Sequence, residues 1–226
     1  RFLVQRGIYD AFVDALAARA DAIRIGDPAL PTTQLTAMST TQIHGLTDTQ
    51  AQALSTAQLR ALGASQIAAL STTAIRSFST TEFAALSTLQ MAALADTQIQ
   101  ALTATQVASL TTTQLSVLSA DQISALTTSG LDGITATQLA SLSSSQLQAF
   151  SSTQLASLES RQVAALTADQ IRLLMPSQIG GLETTDIAAL TSTQIASLTT
   201  TQLAALTASQ TAALTSAQEK IGRAHV

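Results

Sequence analysis

The sequence predicts an all-α fold: a solenoid or superhelix of very short capped helices with an eight-residue repeat, preceded by one amphipathic helix. Three observations carry this. A large apolar residue returns at every eighth position from Leu30 to Leu214, twenty-four times, without insertion or deletion. A Thr or Ser follows most of these anchors, and a Gln usually stands three residues beyond it. The text before Leu30 has no octad and reads as a separate unit. A fixed short period over most of a chain marks a repeat architecture, in which each unit packs mainly on its neighbours.

Residues 1–29 come first. RFLV at the start reads as a strand, and residues from about Ile8 to Ile25 read as an amphipathic helix, with Ile8, Phe12, Leu16 and Ile23 at helical spacing. Gly26-Asp27-Pro28 ends it, glycine supplying a C-cap and proline a stop. Beginning at Arg1 without an initiator Met, the chain reads as a fragment.

Residues 30–218 form the octad array. In a strand, side chains alternate faces, yet the large apolar residues Leu102, Val107 and Leu110 are spaced five and then three apart. Odd steps would throw them to opposite faces. In one continuous helix, eight residues advance about 800°, so the anchors would drift about 80° per repeat and never form a stripe. Short separate helices account for the pattern. In Leu102-Thr103-Ala104-Thr105-Gln106-Val107-Ala108-Ser109-Leu110, Thr103 is an N-cap and Gln106 can reach back to complete a capping box. Leu102 and Val107 are placed to form the hydrophobic staple. Each octad thus specifies a start, about one and a half turns of helix, and a redirection.

The apolar burial available within one octad is smaller than the cost of ordering eight residues, so the units must stack. The frequent Ala before each anchor permits close approach, and Thr, Ser and Gln are expected to face solvent. A β-solenoid or amyloid-like assembly is the rival, suggested by the Thr and Gln content. The Ala-rich helical half of each octad opposes it.

Twenty of the twenty-four box positions carry Gln; Ala74, Glu82, Gly130 and Asp186 are the exceptions. Pro176 follows a cap position, where its missing amide hydrogen costs nothing. Gly130 and Gly133 interrupt one unit, and Gly180 and Gly181 another. They read as repeat drift and local softness, against a hinge or ligand notch. Residues 219–226 form an off-pattern tail.

Charge and chemistry are sparse. Charged residues are 11% and aromatics 3% of the chain, and there is no cysteine. Between Leu35 and Gln218 the basic residues are Arg60, Arg76, Arg161 and Arg172, against nine acidic ones. Four scattered arginines lack the clustered cations that nucleic-acid binding requires. No apolar run approaches the roughly 18 residues of a membrane span, and no signal peptide stands in the sequence. His44 and His225 have no co-ligands at metal-binding spacing. Asp132-Gly133 lacks the other carboxylates of a calcium loop. Glu183 and Asp186 occupy cap and box positions, where helix-start electrostatics explains them. Met38, Met91 and Met175 hold anchor, staple and cap positions, which points to core packing. No catalytic, cofactor-binding or metal-ligating residue is assigned.

The octads Leu-Thr/Ser-x-x-Gln-Ile/Leu/Val-x-x resemble repeat tracts of large bacterial proteins labelled adhesion-like or haem-utilisation. That resemblance implies a non-enzymatic surface scaffold, with a protein or cell-surface partner or self-association. A haem role would need axial His, Met, Cys or Tyr. Residues 1–34, RFLVQRGIYDAFVDALAARADAIRIGDPALPTTQ, resemble a fragment of the aldehyde dehydrogenase family. In that family such a segment follows the catalytic cysteine; the nucleotide-binding part, the cysteine and the general-base Glu have no counterpart in this chain. The junction reads either as an N-terminal cap on the solenoid or as a join of two unrelated sequences. Three functions are therefore expected in turn: a structural or interaction scaffold, an inactive NAD(P)-dependent aldehyde dehydrogenase fragment fused to repeats, and an intracellular peptide-binding superhelix.

Overall fold

The computed structural model describes residues 32–214. The strand and helix expected before Leu30, the aldehyde-dehydrogenase-like text up to Pro31, His225 and the tail over residues 219–226 all lie outside the described residues. Within them the chain forms twenty-three helices of four to six residues and no strand. The predicted solenoid of short helices is what the chain adopts, and the β-solenoid rival falls.

Most helices begin as the octad dictates. At Thr103 the backbone is extended (φ −84°, ψ 159°), its side chain accepts from the Gln106 amide, and the helix Ala104–Ser109 follows. Leu110 then returns the backbone to the extended region (φ −62°, ψ 133°) and leads into Thr111, the cap of the helix Thr112–Ser116. Shorter helices such as Ser144–Gln148 end one residue earlier, with Ala149 still helical, before Phe150 redirects the chain. Pro176 opens the helix Pro176–Gly181 as its first residue.

The core is a continuous seam. Staple residues Ile43, Leu59, Ile67, Val107, Leu139 and Ile187 are fully buried, and anchors such as Leu54, Leu102, Phe150 and Leu190 are buried beside them. All belong to one cluster running from Leu35 to Leu198. Burying a side chain of this size contributes roughly 1.5–3 kcal/mol, and the periodic pair delivers that contribution in most octads, Ala51 and Thr211 being departures at the staple position.

Stacking occurs between turns of a superhelix. Helices pack on those three further along the chain, as Ser152–Ala156 does on Pro176–Gly181 and Ala168–Leu173 on Ser192–Ser197. Side-chain hydrogen bonds span 25, 28 and 31 residues. Between three and four octads therefore complete one turn, so each unit rests on units one turn away.

The glycines correct the expectation of softness. A Cβ on Gly133 would lie 1.8 Å from the Ala104 carbonyl oxygen, and one on Gly181 would lie 2.6 Å from Ser152 Cβ. Neither has a positive φ. They are glycine because the neighbouring turn occupies the space a side chain would need.

Candidate functional site

The polar feature that recurs through the fold is the box glutamine, and the structure buries it. From Gln58 to Gln210 the box glutamines are 1–7% exposed. The expectation that Gln faces solvent with Thr and Ser is thus overturned for Gln. Its reason lies in the two ends of the amide.

Gln106 shows the arrangement. Its Oε1 accepts from the Thr103 amide at 3.0 Å, closing the box expected within the octad. Its Nε2 donates to the carbonyls of Ile75 at 2.8 Å and Phe78 at 2.9 Å, across a full turn. Those carbonyls sit at the C-terminal end of the helix Thr72–Ser77, where four carbonyls have no partner within the helix. One side chain thereby satisfies the cap amide at one helix start and supplies a donor to carbonyls at another helix end, where Ile75 also accepts the Phe78 amide at 3.3 Å.

The same rung recurs down the array. Gln90 donates to Leu59 and Leu62, Gln138 to Val107 and Leu110, Gln146 to Leu115 and Leu118, and Gln202 to Ile171 and Leu174. Where the cap residue has no hydroxyl, the glutamine still accepts the cap amide, as at Gly63, Ala95 and Met175. No buried side-chain nitrogen or oxygen among the described residues lacks a partner.

The exceptions behave as their chemistry requires. Glu82 keeps the acceptor half, taking the Ser79 amide and hydroxyl at 2.7 Å each. Gly130 has no side chain and supplies no rung; a Cβ there would lie 3.3 Å from the Leu102 carbonyl oxygen. Asp186 sits in the box as expected, its Oδ2 accepting the Glu183 amide at 3.0 Å. Ser160, one turn earlier, donates to its Oδ1 at 2.9 Å. Burial pushes the Asp186 carboxyl above its ordinary value of 3.8, against the lowering effect of these two hydrogen bonds.

Other singled-out residues resolve plainly. His44 is exposed, with Nδ1 3.1 Å from the Ala69 carbonyl. Arg60 donates through Nε to the Ala85 carbonyl at 3.3 Å, in a groove of about 540 Å³ lined also by Thr56, Thr80 and Thr81. Met91 is fully buried and Met38 partly so, but Met175 is 43% exposed, which corrects its core assignment. A cap position points outward, where a long thioether has nothing to pack beneath. Leu89, on the first turn of its helix, is also exposed. A smaller groove of about 340 Å³ lies beside Gly133, between Asp132 and Arg161. Among the described residues no three His, Cys, Asp or Glu side chains form a group able to hold a metal, and no helix is long and apolar enough to cross a membrane.

Four stretches of the chain, residues 52–80, 65–96, 139–176 and 179–216, match the ALTTAQ repeat. The six letters follow the anchor, cap and box, as in Ala53-Leu54-Ser55-Thr56-Ala57-Gln58. No curated protein and no solved structure matches the chain. The matched stretches cover more than half of the sequence, so the chain belongs to the ALTTAQ repeat family.

Proposed function

We propose that this chain is a non-enzymatic scaffold, a repeat segment of a large bacterial surface or adhesion-like protein. The observation that supports it most is the use of the polar side chains. The buried glutamines bond inside their own octad and to the turn before it, and the hydroxyls cap helix starts, as with Gln138 and Thr135. The polar chemistry of the sequence is spent on holding turns together. What is left outward is a mosaic of Thr, Ser and Ala with scattered charge, suited to spacing and presentation.

Antibodies against residues 139–216 should label intact source cells, and proteinase added outside should remove the signal. Labelling that appears only after lysis contradicts the surface reading. A second reading, a peptide-binding superhelix, draws on the open groove around Arg60 and its threonines. It predicts saturable capture of acidic peptides that Arg60→Ala abolishes. NAD binding by the purified chain would support the third reading, an inactive dehydrogenase fragment, but the nucleotide-binding part of that family has no counterpart in this sequence, so none is expected.

A further inference from the structure

The ladder of amide rungs is interrupted once by a buried carboxyl group. From Gln66 to Gln210 each box glutamine donates through Nε2 to carbonyls of the preceding turn, 28 to 31 residues back. The same register from Asp186 leads to the carbonyls of Leu155 and Leu158. Asp186 is one methylene shorter and, while ionised, is an acceptor only. It gives those carbonyls no proton, yet it is 1% exposed. Two donors approach it, the Glu183 amide and the Ser160 hydroxyl. Among the described residues it is the one buried side chain able to ionise.

We propose that Asp186 makes the joint between the helices Ser160–Val163 and Thr184–Ala189 a proton-operated rung, tightened in acid and loosened at neutral pH. Ionised, the carboxylate is held between two turns with a desolvation penalty that a glutamine would not carry. Protonated, it becomes a donor: the added hydrogen lies on Oδ1, and the Ser160 hydroxyl rotates to accept it. No other atom changes hands.

The charged groups around the joint do not supply the missing compensation. Glu183, at the cap of the same helix, repels the carboxylate. Glu159 and Arg161 flank Ser160 and pair with each other, both at the surface. The helix Ala208–Ala212, which packs on the other side of Thr184–Ala189, brings no ionisable group.

The direction follows from linkage. The folded-state value is raised, so on acidification the folded chain takes up the proton before the unfolded chain does. The penalty is present in full above the raised value, is relieved as pH falls through it, and is gone below the ordinary 3.8. Each unit of displacement appears as about a tenfold gain in the folding equilibrium across that window.

Asp186→Asn keeps an oxygen for the Glu183 amide and gives Ser160 a permanent donor. Thermal unfolding of the full chain and of this variant, followed from pH 7 downward, should show a higher midpoint for the variant at neutral pH. The difference should shrink as the pH falls. Equal midpoints at pH 7, or a difference that pH does not change, would overturn the proposal. A carbon-13 titration of the Asp186 carboxyl in the unsubstituted protein reads the same point without any variant. A midpoint above 3.8 is expected; one at or below it would also overturn the proposal.

Discussion

At the scale of single residues, the box glutamine is better understood as a bridge than as a cap accessory. A capping box accepts Glu or Gln almost equally, yet Glu stands in the box only at Glu82 while twenty positions carry the amide. That imbalance was the legible signal in the sequence. It says the position needs a donor as well as an acceptor, and only the amide offers both. Where the donor goes was not legible, because the receiving carbonyls of Ile75 and Phe78 stand about thirty positions away. Replacing Gln106 by Met keeps the volume and removes both functions. It should destabilise the fold by about 1–3 kcal/mol, the cost of buried polar groups left unpaired. Thr103→Ala removes only the cap and should cost about 1 kcal/mol. Chemical denaturation of the two variants checks the order; a larger loss for Thr103→Ala would reverse the argument.

At the scale of the helix, cap, box and staple fixed nearly every start in advance, because all three act within five residues. Leu102, Thr103, Gln106 and Val107 do in the structure what their spacing implies. Gaps in the pattern are therefore openings for repair. Ala95 holds a cap position with no side-chain oxygen, although Gln98 still accepts its amide. Ala95→Ser should stabilise the protein by about 1 kcal/mol, visible as a higher melting temperature. The glycines went the other way. From sequence, Gly133 and Gly181 looked like drift, since nothing local shows that Ala104 and Ser152 lie against them. Gly133→Ala should cost about 1–3 kcal/mol or more through overpacking, whereas Gly45→Ala, with 3.5 Å to its nearest neighbour, should be nearly neutral. Equal effects of the two would contradict the close approach.

At the scale of the whole molecule, the eight-residue period and the pitch of the superhelix are separate quantities. The first was plain in the sequence; the second arises from packing, with rungs that span 28 and 31 residues. Because each helix rests on helices one turn away, stability belongs to the stack. Removing one whole octad, residues 111–118, keeps every later unit in phase and should leave the helical spectrum unchanged. Removing residues 111–114 alone puts cap, box and staple out of register and should depress it.

The central claim is that the glutamine side chains hold one turn to the next. Nitrogen-15 labelling of glutamine alone lets the exchange of each side-chain amide be followed by NMR. Slow exchange is expected for the buried rungs, Gln90, Gln106, Gln138 and Gln202, and fast exchange for Gln52 and Gln100, which are exposed. Uniformly fast exchange across all of them would mean the rungs do not form, and the account of the superhelix would fall with them.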